Sequence, residues 1–405
     1  MADLESSATA VSRANRRRRI WAAWAGAALL AVVGATYLAA WLGRDYSTAA
    51  RALVWMDADV DDYRRFAART IEASDAAFHY EQGPGYPHGL ARTAAPGHAD
   101  LAAMLAANHT TAFIAIQDDK LIYERYFNGH GRESTQTSFS VAKSFNSAIL
   151  GRALADGLIG SIEDPVTKYL PELAQRDPRF AQITIRHLVS MSSGMRYRES
   201  GTPWGDDAKT YYAPDLRKLG LEDTQIEEPP GQRFHYNNFN PMLIGMILER
   251  ATGKRVAHYL AETIWKPLGA EHAATWSLDS PWSGFEKMES GINARAIDFV
   301  KFGSLYLHRG QWRGKQVLPA EWVDQSTRYS TDTDPALKYQ YGWWTFHREG
   351  LGDYFAAMGN KGQYIFVFPR QRLVILRQGS DRGAVDWPAV IPAIALTVNS
   401  PRSQP

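Results

Sequence analysis

Ser140-Val141-Ala142-Lys143 opens an apolar run of helical period, and Tyr236-Asn237-Asn238 opens another about a hundred residues later. On a helix, positions i and i+3 share a face one turn apart, so the Ser140 hydroxyl and the Lys143 amine can meet with no long-range constraint. Serine is a poor nucleophile until a neighbour takes its proton. The spacing alone arises roughly once by chance in a chain of this size, and its other reading is an N-capping serine beside an exposed helix lysine. The surroundings therefore carry the argument.

Upstream, Thr111 to Gln117 and Lys120 to Phe127 are strand-like runs joined at Asp118-Asp119, the pattern of an antiparallel hairpin. Val141, Ala142, Phe145, Ala148, Ile149, Leu150, Ala153 and Leu154 then recur with helical period as far as Gly157, which puts Ser140 at a helix N-terminus. Free backbone N–H groups and the helix dipole favour developing negative charge there. The same field disfavours a protonated amine, so a half-buried Lys143 is placed to serve as a neutral general base.

Further along, the turn Pro229-Pro230-Gly231 leads through Phe234, His235, Tyr236 and Asn238 into a long apolar helix. Tyr236 can exchange protons with the serine and the leaving group, and Asn238 can hold the lysine and a substrate amide. Equally, Asn238 reads as a helix N-cap beside a packed tyrosine. A third element, Ala357-Met358-Gly359-Asn360-Lys361-Gly362, precedes the strand Tyr364 to Phe368. Its glycines let a substrate lie against strand backbone, whose N–H groups, with that of Ser140, can form an oxyanion hole. Otherwise it is a glycine-containing hairpin. His187 and His235 lie near these motifs and are read as structural. Asp206 and Asp207 follow Gly201-Thr202-Pro203-Trp204-Gly205 and could bind a substrate amine, although acidic loop residues are usually just solvated.

Thr184 to Met191, Asn240 to Thr252, Val256 to Trp265 and Ala294 to His308 are predicted helices, so residues 161–335 read as a mostly helical insertion. Strand signals resume at Gln340 to His347, Tyr364 to Phe368 and Leu373 to Arg377, and a helix is expected from Trp387 to Val398. The fold class is α+β: an antiparallel sheet flanked by helices, built from about 106–160 and 336–400, plus the helical lobe, with a cleft between. Residues 45–105 read as a lead-in, with an amphipathic helix over Asp57 to Ala77 and an irregular passage over Gln82 to His98.

Composition narrows the function. The 405 residues are 45% hydrophobic and 12% aromatic, enough for a large core. Residues 1–44 hold six arginines against Asp3 and Glu5, leaving 39 basic and 41 acidic side chains, a net −2, in the remainder. That balance gives no basic surface for nucleic acid. With no cysteine there is no disulfide, thiol nucleophile or cysteine-ligated zinc, and no histidine spacing suits a metal. No cofactor is expected.

Arg13 and Arg16 to Arg19 precede 24 uncharged residues, Ile20 to Gly43, about 36 Å as a helix. The arginines are expected to stay cytoplasmic (1–19) and the helix (20–43) to act as a signal anchor, placing the remainder outside the inner membrane. A cleaved secretory signal is the alternative; either way the domain is exported.

In this order the three elements resemble those of the serine β-lactamase and penicillin-binding superfamily, in which Ser-x-x-Lys is followed by a later Lys-Thr-Gly. The likeness runs from about Ala112 to Ser380 and includes Ile183 to Met195, Trp265-Lys266-Pro267-Leu268-Gly269, Asn293 to Asp298 and Tyr341-Gly342-Trp343-Trp344. Tyr236 and Asn238 resemble the Tyr-x-Asn motif of the class C branch, and the chain is most similar to the esterases and 6-aminohexanoate-oligomer hydrolases of that branch. The resemblance implies Ser140 as nucleophile, Lys143 and Tyr236 as acid/base pair, and the N–H groups of Ser140 and a residue near Asn360 as oxyanion hole. Ala357-Met358-Gly359 stands where Lys-Thr-Gly is expected, and Lys361 is a poor substitute, which favours small esters or linear amides. A β-lactamase or D-amino-acid-specific peptidoglycan peptidase is the enzymatic alternative, and a non-catalytic penicillin-binding-like scaffold the other.

Overall fold

The computed structural model describes residues 2–84, 100–330 and 338–398. Residues 85–98, most of the expected irregular passage, lie outside the described residues. Among the described residues fourteen strands run in chain order: β1 Ala68–Ile71, β2 Glu81–Gln82, β3 Thr110–Gln117, β4 Lys120–Tyr126, β5 Thr135–Thr137, β6 Ala274–Ser277 and β7 Ile292–Arg295 come first. After them come β8 Gln311–Trp312, β9 Lys315–Gln316, β10 Tyr339–Gln340, β11 Trp343–Arg348, β12 Gly352–Gly359, β13 Gln363–Phe368 and β14 Leu373–Gly379.

Strands from both ends of the chain form one sheet, as the sequence pattern predicts; it has eight strands in the order β10-β11-β12-β13-β14-β3-β4-β2, of which β2 and β12 carry no strand signal in that reading. Its seam is the antiparallel pairing of β14 with β3, where Leu373 faces Gln117 and Leu376 faces Ile114. The β2–β4 pair is the parallel exception. Both faces are covered. The helices Ala142–Ala155 and Ala296–Leu307 pack Phe145, Phe299 and Phe302 on one side, within a core that takes in Ile114, Ile116, Ile365 and Val374. On the other, Leu101–Ala107 and Trp387–Thr397 cover Phe113, Phe366 and Ile375.

Residues between β5 and β10 are mainly helical, led by Phe239–Thr252, whose first ten residues are all buried. That insertion also holds short strands that the helical reading missed. A second sheet, β1-β6-β7-β5, joins the lead-in to the insertion, and Ala294 and Arg295, expected within a helix, belong to β7. Val256 to Trp265 is an α-helix to Leu260 and a π-helical turn from Ala261.

The expected helix over Asp57 to Ala77 is not formed. Asp59 N–H donates to Asp62 Oδ2 and Asp61 N–H to Asp59 Oδ1, local bonds that compete with a helix, leaving only the short turn Asp62–Arg64. Ala68–Ile71 then pairs with β6 about two hundred residues away, Ile71 opposite Ala274, so long-range pairing overrides the local periodicity. The helix ahead of this stretch is Thr48–Trp55, capped by Ser47, whose hydroxyl accepts from Ala50 N–H at 3.3 Å.

At the N-terminus, Ala2–Gly43 is one helix, and Arg18–Gly43 within it is long and apolar enough to cross a membrane.

Candidate active site

Ser140 sits on a tight turn. Phe139, immediately before it, takes φ +47°, a conformation costly for a bulky residue and held here by burial and by stacking on Tyr211 at 6.4 Å. The 3-10 turn Phe139–Val141 runs into the Ala142–Ala155 helix, so the expected placement at a helix start is found.

Lys143 Nζ donates to Ser140 Oγ at 2.9 Å and to the Glu289 carbonyl at 2.9 Å. Its side chain is buried, and Nζ lies 4.9 Å from the Tyr236 ring centroid. The three residues therefore converge as the sequence predicts. Tyr236 is flanked by Trp344, stacked at 6.0 Å, and by Tyr339, edge-on at 5.7 Å. Burial, and secondarily the nearby Tyr236, push the Tyr339 hydroxyl well above its ordinary value, so Tyr339 stays neutral and acts as packing.

The Tyr236 loop is fixed from below by the segment Met191–Met195. His235 N–H donates to Met191 O at 2.7 Å, Gly231 N–H to Ser192 O at 2.7 Å, and Asn237 Nδ2 to Met195 O at 3.0 Å. Tyr341-Gly342 closes from the sheet side. Gly342 has φ +88°, and a Cβ there would lie 2.7 Å from Lys143 O; in that space Ser144 Oγ donates to Gly342 O at 2.7 Å.

Asn238 also lines the cleft, but its amide nitrogen donates to the Tyr197 hydroxyl at 2.8 Å, not to Lys143. Nor does its side chain cap the Phe239–Thr252 helix; Asn237 Oδ1 accepts from Phe239 N–H instead, at 2.8 Å. The buried Asn238 Oδ1 has no partner among the described residues.

β12 ends against the nucleophile turn. A Cβ built on Gly359 would lie 2.6 Å from Ser138 O and 3.2 Å from Ser140 N, so only glycine lets this strand approach so closely. Asn360 follows at the cleft wall, and its side-chain oxygen accepts from Lys361 N–H at 2.9 Å. Lys361 does not line the cleft, and its ammonium is paired with Asp57, which does, at 2.8 Å. The position of a Lys-Thr-Gly motif is thus apolar.

The remaining candidates have structural partners. His187 Nδ1 accepts from Thr184 N–H at 3.1 Å in a capping box, and burial lowers its pKa, so it stays neutral near pH 7. The His235 ring packs edge-on against Tyr197 at 6.4 Å. Asp206 accepts from Arg198 N–H and Asp207 from Ser200 N–H, and both begin the Asp206–Tyr212 helix; of the two, Asp207 lines the cleft.

Sequence reasoning missed Glu289. Its carbonyl holds Lys143, and its carboxylate forms a buried ion pair with Lys287 at 3.1 Å and accepts from Ser290 Oγ at 2.7 Å. Met288-Glu289-Ser290 carries no local pattern that would expose this; the pairing exists only once β7 is placed. Among the described residues no cluster of three or more His, Asp or Glu could hold a metal.

These groups can deliver a serine nucleophile, a lysine and a tyrosine to take and give protons, and a strand end beside Ser140 N–H. The same fold recurs among known proteins. A Bacillus anthracis protein assigned as a 6-aminohexanoate-dimer hydrolase superimposes with a TM-score of 0.73 at 24% identity, over 82% of this chain and 90% of that one. A D-stereospecific amidohydrolase from a Streptomyces species matches with a TM-score of 0.57 at 18% identity, over 76% and 98%. By sequence, the 6-aminohexanoate-dimer hydrolase of Paenarthrobacter ureafaciens is 26% identical over 329 residues, 74% of this chain and 80% of its own length. The Beta-lactamase family profile matches residues 91–398. The chain therefore belongs to the Beta-lactamase family and is a hydrolase of the serine β-lactamase superfamily.

Proposed function

We propose that the protein hydrolyses small esters or linear amides through an acyl-enzyme on Ser140. The observation that carries this reading is the buried Lys143, held by Glu289 O and donating to Ser140 Oγ at 2.9 Å. Ser140 Oγ attacks the substrate carbonyl carbon while its proton passes to the Lys143–Tyr236 pair. The oxyanion is received by the N–H groups of Ser140 and Asn360. Collapse expels the alcohol or amine, which takes that proton, and a water then attacks the acyl carbon, returning the proton to Ser140. Asn238 and Gly359 border the bound acyl group.

The apolar Ala357-Met358-Gly359 offers no cation for a β-lactam carboxylate, which supports esters and linear amides over antibiotics. The 6-aminohexanoate-dimer hydrolase relative supports the amide half of the proposal. In this reading residues 106–390 form the two-lobed catalytic unit, and residues 20–43 hold it outside the inner membrane as a single-pass anchor.

The test compares short-chain p-nitrophenyl esters and linear 6-aminohexanoate oligomers with wild type and Ser140→Ala. The expected result is turnover of at least one class, lost in Ser140→Ala; equal turnover by both proteins would refute it.

A further inference from the structure

The wall of the cleft facing the N-terminus is the helix that follows the apolar one. Only residues 44–47 separate Gly43 from the Thr48–Trp55 helix, and these are tied to the catalytic body. Arg51 is buried and donates from Nε to Arg44 O at 2.7 Å and from Nη1 to Asp279 O at 2.5 Å and Tyr212 O at 3.3 Å. Trp282 Nε1 donates to Asp45 O at 3.4 Å, and the Tyr212 hydroxyl to Met56 O at 2.7 Å. The connection is a strut rather than a tether, so a bilayer around Arg18–Gly43 sets the orientation of the whole catalytic body.

Aromatic residues mark where that bilayer would end. Trp41 on the apolar helix, Tyr46 on the strut and Trp282 on the catalytic body are all exposed, Trp282 at 54%. Such residues favour the membrane–water interface, and Trp282 brings the catalytic body itself to that level. Immediately beyond, Leu53 is 47% exposed and Met56 71% exposed, and both line the Ser140 cleft. Leu53 lies on the Thr48–Trp55 helix, which spans about 12 Å, and Met56 follows directly at its C-terminal end. Val385, Trp387 and Pro388 line the cleft with them, in a volume of about 1120 Å³, slightly above the roughly 300–1,000 Å³ that small-molecule sites occupy. Among its charged lining, Asp57 is paired with Lys361 and Glu289 with Lys287, while Glu199, Asp207 and Asp386 still outnumber Arg382, a balance unfavourable to an anionic headgroup.

We propose that the substrates are membrane-resident acyl esters or amides with an uncharged head, whose acyl chain enters the cleft from the interface along the Thr48–Trp55 helix past Leu53 and Met56. This rests on the Ser140 reading above and on Arg18–Gly43 crossing the bilayer.

The experiment uses the full-length protein in phosphatidylcholine vesicles with p-nitrophenyl esters of four to sixteen carbons, for wild type, Leu53→Glu, Met56→Glu and Ser140→Ala. In wild type, kcat/KM rises at least tenfold from four to twelve carbons. In Leu53→Glu and Met56→Glu the ratio of twelve-carbon to four-carbon kcat/KM falls at least tenfold, mostly through KM. A wild-type profile that is flat or falls with chain length overturns the proposal without reference to any variant's folding, and so does an unchanged ratio in both variants. Protein that fails to float with the vesicles overturns it through the membrane premise. Four-carbon turnover that survives Ser140→Ala locates the failure in the Ser140 reading instead.

Discussion

Replacing Lys287 with methionine removes one half of the ion pair behind Lys143. Lys287 Nζ lies 3.1 Å from Glu289 Oε1, and each side chain is 2% exposed. Nζ also donates to Tyr211 O and lies 4.2 Å from the Tyr211 ring centroid. Methionine preserves most of the volume, so the loss is electrostatic: an unpaired buried carboxylate costs about 3–5 kcal/mol. For a folded unit of roughly 350 residues, at ~2.1 cal/mol/K of unfolding entropy per residue, that lowers Tm by about 4–7 °C. The pair also shapes stability at alkaline pH. Burial holds Lys287 below 10.5 despite the opposing pull of Glu289, so the unfolded chain binds the proton more firmly between the native value and 10.5. Stability therefore rises with pH across that window, and Lys287→Met loses the rise. The double variant Lys287→Met/Glu289→Leu removes both charges and recovers most of the loss. Thermal melts of the three proteins at pH 8 and 10 decide the matter. A drop below about 1 °C in Lys287→Met at pH 8, or a double variant less stable than the single, would refute the reasoning.

Lys143→Ala is expected to lower kcat/KM by about 10²–10⁴, measured with short-chain esters, with the circular-dichroism spectrum unchanged. Gly359→Ala places a methyl 2.6 Å from Ser138 O; the expected cost is about 1–3 kcal/mol in denaturant unfolding, with kcat falling at least tenfold and KM little altered. Arg377, which burial pushes down to about 9, donates to Gly362 O and Asn108 O at 2.7 Å each beneath the Asn360–Gly362 turn. Arg377→Met leaves both carbonyls unpaired at about 1–3 kcal/mol each in chemical denaturation, whereas a variant within 1 kcal/mol of wild type would contradict that role.

Much of this architecture is legible along the chain because it is locally encoded. The β3–β4 hairpin, the Ala142–Ala155 and Phe239–Thr252 helices and the β13–β14 pair each combine clear periodicity with turn residues, and each forms within one or two residues of its expected bounds. What escapes is set by distant partners. β1 and β7 are four residues each and exist because β6 lies between them, too short a span for periodicity to distinguish from a helix. The candidate site divides the same way. Ser140, Lys143 and Tyr236 are marked by spacing and turn context, and the structure brings them together. Glu289 reaches Lys143 through a backbone carbonyl, which any residue supplies, so no residue type announces it. Asn238 shows the converse: its type suggested a bond to Lys143, and Tyr197, 41 positions upstream, takes its amide instead.

The most direct test of the serine acyl-enzyme is intact-mass analysis of the protein quenched during turnover of a short-chain p-nitrophenyl ester, followed by peptide mapping. The account predicts a mass increase of one acyl group, mapped to Ser140, accumulating early and decaying as substrate is exhausted, with no adduct in Ser140→Ala. Turnover with no adduct under any quench, or an acyl group on another residue that persists in Ser140→Ala, would contradict it.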